Sequence, residues 1–182
     1  NDTATTEIYT YLFTLALATA LVFVLLLVHQ EFTDPWEALR ASAFQVLSLA
    51  TTTGYATTDY SLWPIFAPVL LMFLGCFASC AGSTGGGIKM VRMILLIKQA
   101  RRELVRIIHP RVVNPVTLGG QVMPMSVMTA VLGFMLIYGA TIMGLTMVLL
   151  FTGLDIVTAF SAVVATVNNI GPGLGLVGPA SN

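Results

Sequence analysis

Two runs of this 182-residue sequence, 8–28 and 124–151, carry no charged side chain and are long enough to cross a lipid bilayer. A hydrocarbon core about 30 Å thick takes roughly 20 residues of helix. A soluble fold would need a charged surface over such helices. Here only 9% of residues are Asp, Glu, Lys or Arg, and 57% are hydrophobic, whereas soluble domains carry about 25% charged residues. The chain is therefore expected to be an all-α membrane protein, because a helix satisfies its own backbone polar groups inside lipid.

A further apolar stretch covers 62–81 and resumes over 88–97. One helix over 62–97 would be about 54 Å long, far more than the bilayer needs. A break is expected at Gly82, Ser83, Thr84, Gly85, Gly86 and Gly87, where helix propensity is lowest. A broken membrane helix can hold a transported substrate or serve as a mobile constriction. A phosphate-binding loop would want Lys directly after its last Gly. Here Ile88 intervenes before Lys89, and no strand precedes.

Between the spans lie two short segments, 35–50 and 156–167. The first has helix-start chemistry: Asp34 as N-cap, Pro35 at the first helical position, and Glu37 placed as in a capping box. Asp155 can cap the second in the same way. Each runs into a turn rich in Thr, Asn and Gly: Thr51-Thr52-Thr53-Gly54-Tyr55 and Asn168-Asn169-Ile170-Gly171-Pro172-Gly173. Span, short capped helix and glycine turn thus recur, with Gly54 and Gly171 as equivalents. Ala43-Phe44 lies one residue nearer its glycine than Ala159-Phe160 does, so the repeats read as diverged.

Formal net charge is zero, but seven of the eight Lys and Arg fall within 89–111; the eighth is Arg40. Such a cluster beside apolar spans marks the cytoplasmic side, rather than a patch for nucleic acid or anionic lipid. The span 8–28 then runs outward, 62–98 inward and 124–151 outward. Both short helices dip in from the outer face, their partially negative C-termini aimed at the membrane interior, which favours a cation there. Non-helical backbone at that depth survives only where protein or water satisfies it. The two turns fit a selectivity filter, whose inward carbonyls replace an ion's water shell. Glycine supplies the unusual backbone angles, and Thr and Asn oxygens add ligands or brace the turn.

Cys76 and Cys80 sit in an apolar stretch at small-xxx-small spacing and read as helix-packing residues. With His29 and His109 distant in sequence, they make no metal set. No catalytic constellation stands out, so neither an enzyme nor a cofactor is expected.

These motifs carry a family resemblance. The run Ala50-Thr51-Thr52-Thr53-Gly54-Tyr55-Ala56-Thr57 resembles the third filter of TrkH-type subunits of the bacterial Trk/Ktr/HKT potassium transporter superfamily. Asn168-Asn169-Ile170-Gly171-Pro172-Gly173 resembles the fourth. Cys80-Ala81-Gly82-Ser83-Thr84-Gly85-Gly86-Gly87-Ile88-Lys89 resembles the glycine-rich intramembrane loop of the third repeat. The resemblance implies K+-channel-like span–pore-helix–filter–span repeats, four around one pore in the bacterial inner membrane. It implies K+ as the transported ion, bound by the carbonyls of Thr52, Thr53, Asn169 and Ile170 with neighbouring Thr51, Gly54, Asn168 and Gly171. Residues 82–87 would be the gate below the filter. As partners it implies the remaining pore repeats, a second copy in a homodimer, the lipid bilayer and a cytoplasmic nucleotide-binding ring of TrkA type; nucleic acid is not among them.

On that reading residues 1–122 are the third repeat, with spans 8–28 and 62–98, pore helix 35–50, filter 51–57 and cytoplasmic loop 98–122. Residues 123–182 are the fourth without its last span: span 124–151, pore helix 156–167 and filter 168–173. The opening Asn1 and the end at Ser181-Asn182 lead to the expectation of a piece of a longer protein. Two alternatives remain. One is an ion-coupled secondary transporter with its substrate at the broken helix. The other, a structural membrane subunit, would leave the Thr51 to Tyr55 turn without a role.

Overall fold

A computed structural model describes residues 2–180 except Ala78, Ala81, Thr84, Pro110, Arg111 and Val113. Its first helix, α1 (Asp2–Val28), is apolar on every side beyond its first two turns, yet one stripe is chosen for burial: Leu15, Ala18, Val22 and Leu26. Their spacing of three and four residues puts them on one face. Phe13, Leu17, Leu21 and Val24, on the other sides, stay exposed.

Helix α2 (Pro35–Ala50) packs on that stripe. The Asp34 side chain accepts a hydrogen bond from Trp36 N at 3.0 Å and caps it. Glu37 sits exposed in the first turn, and because Asp34 bonds the second helical amide rather than the third and Glu37 makes no return bond among the described residues, the expected capping box does not form. Ala38, Ala41 and Ser42 are buried, and such small side chains let helices approach closely.

The apolar stretch expected over 62–98 with a break at 82–87 is divided differently. Residues 60–62 form a separate 3-10 turn capped by Asp59, and α3 runs only Phe66–Phe77. At about 18 Å, α3 is too short to span a bilayer. Helix α4 (Met90–Ile108) continues well past 98. The break is wider than the glycines because the chain doubles back onto the end of α3. Ile88 N donates to Cys76 O and Met90 N to Ser79 O, both at 2.7 Å, taking up carbonyls at the helix end. The extension of α4 follows from strong helix formers after residue 98 and from Gln99 and Arg106 bonding to Glu103 on the same helix.

The stretch 98–122, expected as a loop, therefore holds the end of α4 and a small hairpin. Strands β1 (Thr117–Leu118) and β2 (Gln121–Val122) pair antiparallel around Gly119 and Gly120, both at positive φ. A two-residue turn of that kind suits a hairpin. Two-residue strands leave no alternation for a sequence to display.

Helix α5 (Met125–Phe151) follows, then α6 (Ile156–Val167), whose Thr158 N is capped by the Asp155 carboxylate at 3.0 Å. Among the described residues, α1 and α5 are the helices long and apolar enough to cross a membrane. The main core, with Leu26, Leu49, Leu71 and Ile170 among its members, gathers α1, α2, α3 and α6 around the two glycine turns. A smaller cluster of Leu95, Val116, Leu118, Met128 and Val131 joins α4, the hairpin and α5.

Candidate functional site: two matched turns and the loop beneath them

The turns after α2 and α6 are built alike, residue for residue. Thr51 and Asn168 are the C-caps; Thr52 (φ 56°) and Asn169 (φ 57°) follow in the left-handed region. Thr52 N donates to Leu49 O and Thr53 N to Ser48 O; Asn169 N donates to Thr166 O and Ile170 N to Ala165 O. This is the paired-bond helix ending known as the Schellman motif, which favours Gly at its left-handed residue. A β-branched Thr there is a true backbone outlier, held at roughly 1–3 kcal/mol of strain. Gly54 (φ 80°) and Gly171 (φ 111°) come two residues later.

Counted back from these glycines, Phe44 matches Ser161, not Phe160. The spacing difference in the Ala-Phe pairs is therefore no insertion. What differs is length at the start: α2 has 16 residues and α6 has 12, about one turn fewer.

The amides of Thr51 to Gly54 and of Asn168 to Ile170 are consumed by the helix endings, and their oxygens are not taken up by them. Among the described residues, the main-chain oxygens of Thr52, Thr53, Asn169 and Ile170 accept no hydrogen bond. The two turns touch: a Cβ on Gly54 would lie 2.5 Å from Ile170 O, and one on Gly171 would lie 3.1 Å from Gly54 Cα. A cleft of about 460 Å³ opens beside them, lined by Gly54, Tyr55, Gly171, Pro172 and Gly173 among others. Unclaimed carbonyls at the partially negative ends of two helices can take the place of water around a dehydrated cation.

Side chains brace this backbone. Thr51 Oγ1 donates to Leu47 O at 2.6 Å and lies 2.7 Å from Thr53 Oγ1. Ser48 Oγ donates to Tyr55 O at 2.6 Å. Tyr60 is fully buried, and its hydroxyl donates to Gly173 O in the other turn at 3.2 Å. Burial, and then the nearby Asp59 carboxylate, push the Tyr60 phenol above its ordinary range, so it stays a donor. Ile170 buries its side chain against Gly75 of α3, where any Cβ would collide with it.

Asn168 is also fully buried, and its amide is structural rather than free for an ion. Its Oδ1 accepts from Tyr138 Oη at 2.7 Å; its Nδ2 donates to Val164 O at 2.8 Å and lies 3.6 Å from Cys76 Sγ.

The glycine loop lies against both turns. Gly86 N donates to Asn168 O at 3.2 Å. A Cβ on Gly85 would come 3.4 Å from Thr52 Oγ1, and one on Gly86 would press on the Asn168 carbonyl at 2.9 Å. Gly87 packs on Cys76 O and Asn168 Oδ1. Gly82 and Ser83 are exposed, and Thr84 lies outside the described residues. Lys89 donates from Nζ to Ser83 O at 2.8 Å and to Gly85 O at 2.7 Å, so its ammonium closes the loop.

Sequence reasoning missed Tyr60, Tyr138 and the grip of Lys89. A phenol in an otherwise apolar span is the one available signal for Tyr138, since such a hydroxyl needs a partner when buried. Among the described residues no group of three or more His, Cys, Asp and Glu could hold a metal, and Cys76 and Cys80 are free thiols.

Comparison with known proteins identifies relatives of the chain and a solved structure of the same fold. The TrkH family model, described as a cation transport protein, matches residues 3–181. The chain is 44% identical to the Trk system potassium uptake protein TrkH of Vibrio parahaemolyticus over 94% of its length and 35% of that protein's. It is 42% identical to TrkH of Escherichia coli K12 over 82% of its length and 31% of that protein's. It superposes on the crystal structure of the potassium transporter TrkH from Vibrio parahaemolyticus with a TM-score of 0.90 and 43% identity, covering 97% of this chain and 38% of that one. The chain thus spans about a third of the length of these curated relatives.

Proposed function

This chain belongs to the TrkH family of cation transport proteins, and from that membership we propose that it supplies two repeats of a four-repeat pore taking K+ across the bacterial inner membrane. The turns at Thr51, Thr52, Thr53 and Gly54 and at Asn168, Asn169, Ile170 and Gly171 form two of the four sides of the selectivity filter. Residues 1–122 act as the third repeat and 123–182 as the fourth up to its filter. The observation that carries this reading is the duplicated helix ending. It uses up the amides of Thr52, Thr53, Asn169 and Ile170 and, among the described residues, leaves their oxygens without a hydrogen bond. The relatives' names as potassium uptake proteins support K+ as the ion.

The loop 82–87 is the gate in this proposal, because it sits against Thr52 and Asn168 at the base of both turns. The basic segment 89–111 faces the cytoplasm, where a TrkA-type nucleotide-binding ring docks and biases the loop; the whole pore protein works as a homodimer.

The test is deletion of residues 85–87 in the full-length parent protein, reconstituted in liposomes. Rubidium uptake should rise, lose its dependence on the regulatory ring, and keep its preference over sodium. A deletion protein that assembles and selects rubidium but conducts no faster than wild type refutes the gate. Loss of all transport would favour a substrate site at the broken helix.

A further inference from the structure

Asn168 makes two kinds of contact at once. Its side chain is held by Tyr138 on α5, and its main-chain oxygen is held by the Gly86 amide of the loop. An oxygen accepting from Gly86 is partly withdrawn from any other partner. Tyr138 leads further. Its ring stacks on Phe134 one turn earlier, centroids 6.0 Å apart at 21°. The Arg92 guanidinium lies over the Phe134 ring at 4.1 Å. Arg92 stands in the first turn of α4, close after Lys89, which grips the loop carbonyls. The contacts make a closed circuit: loop, start of α4, Arg92, Phe134, Tyr138, Asn168, and back to the loop.

Resting on the gate reading above, we propose that Tyr138 is a positioning residue for a latch between gate and filter. Through the Asn168 side chain it holds Asn168 O onto Gly86 N–H, and through Phe134 and Arg92 it ties that bond to α4. Fully satisfied buried polar networks are rigid, and removing one member loosens the rest. Tyr138→Phe keeps the ring and its stacking and removes only the hydroxyl, leaving Asn168 Oδ1 without its partner. The latched state is then weakened relative to the released one, and movement of α4 is transmitted less well.

The experiment measures rubidium and sodium uptake by the full-length parent in liposomes without the regulatory ring. Tyr138→Phe should raise basal rubidium uptake roughly fivefold, the scale of one net hydrogen bond, with the rubidium-to-sodium ratio unchanged. In the background lacking residues 85–87, the same substitution should add nothing, because no latch remains. Unchanged uptake in Tyr138→Phe, when the deletion itself raises uptake, overturns the latch and leaves the gate standing. An equal rise in both backgrounds, or a fall in the ratio, overturns it too, since Tyr138 would then act on packing or on the filter. If the deletion raises nothing, the gate reading fails and the latch with it. Should Tyr138→Phe not assemble, Arg92→Gln and Phe134→Leu decide the case: non-additive rises in uptake support the circuit, and additive or absent effects refute it.

Discussion

Replacing Gly54 with serine puts a side chain at the point where the two turns meet. The residue sits at φ 80°, a conformation that costs an L-residue with a Cβ about 1–2 kcal/mol. The added Cβ would come 2.5 Å from Ile170 O, where ordinary contact begins at 3.4 Å. Either that carbonyl or Gly54 itself must move by roughly 0.9 Å, the difference between the two distances. The other near atoms are the Ile170 carbonyl carbon and Gly171 Cα, so the helix core is left alone and the chain should still fold. The displacement falls on an oxygen proposed to face the ion. An energy of one to two kcal/mol corresponds to a factor of about 5–30, and the rubidium-to-sodium uptake ratio of the full-length parent in liposomes should drop by that order. A protein that elutes normally in detergent and keeps its ratio within about twofold, well inside that range, would falsify the assignment of Gly54 to the filter.

Orientation is checked by cysteine labelling in a background without Cys76 and Cys80. A cysteine at exposed Thr57 should react with an impermeant reagent from outside, and one at Arg101 from inside only; reaction of position 101 from outside inverts the topology and removes the helix-end geometry. The cap at α6 sets a pH dependence. The Thr158 hydroxyl and then its amide hold the Asp155 carboxyl below the usual carboxylate range, so the stabilisation is complete above that range and is lost as pH falls through the lowered native value. The thermal stability gap between wild type and Asp155→Asn in detergent should narrow on acidification; a gap constant across that range would show that the cap does not titrate.

The parts of this molecule legible in its sequence are those set by local chemistry. Asp34 before Pro35, and Asp155 before an apolar run, mark helix starts because caps act within one turn. Gly54 and Gly171 mark the turns because positive φ selects glycine. The burial stripe of α1 is not legible, because lipid and protein interior are both apolar and hydrophobicity does not tell Val22 from Val24. The width of the break after α3 is not legible either, since it depends on Ile88 and Met90 returning to Cys76 and Ser79. Asn169 at a left-handed position could be guessed from helix-ending preferences; Thr52 could not. Whether Asn168 lends its side chain to an ion or braces the turn is not legible in the sequence, because Tyr138 reaches it from thirty residues away.

The hydroxyl of Tyr60 ends one turn's segment by bonding into the other at Gly173. The two turns are thereby sewn together at one end, while their glycines abut in the middle. A dilation at this corner of the proposed pore cannot begin in one strand alone: it must strip a buried phenol of its acceptor, or carry both strands outward together. The corner's compliance is a property of the pair. On the proposed filter reading, a larger or smaller ion pressing on the oxygens of one turn would be resisted by the anchoring of its neighbour, and size discrimination would be a joint property that neither repeat holds by itself.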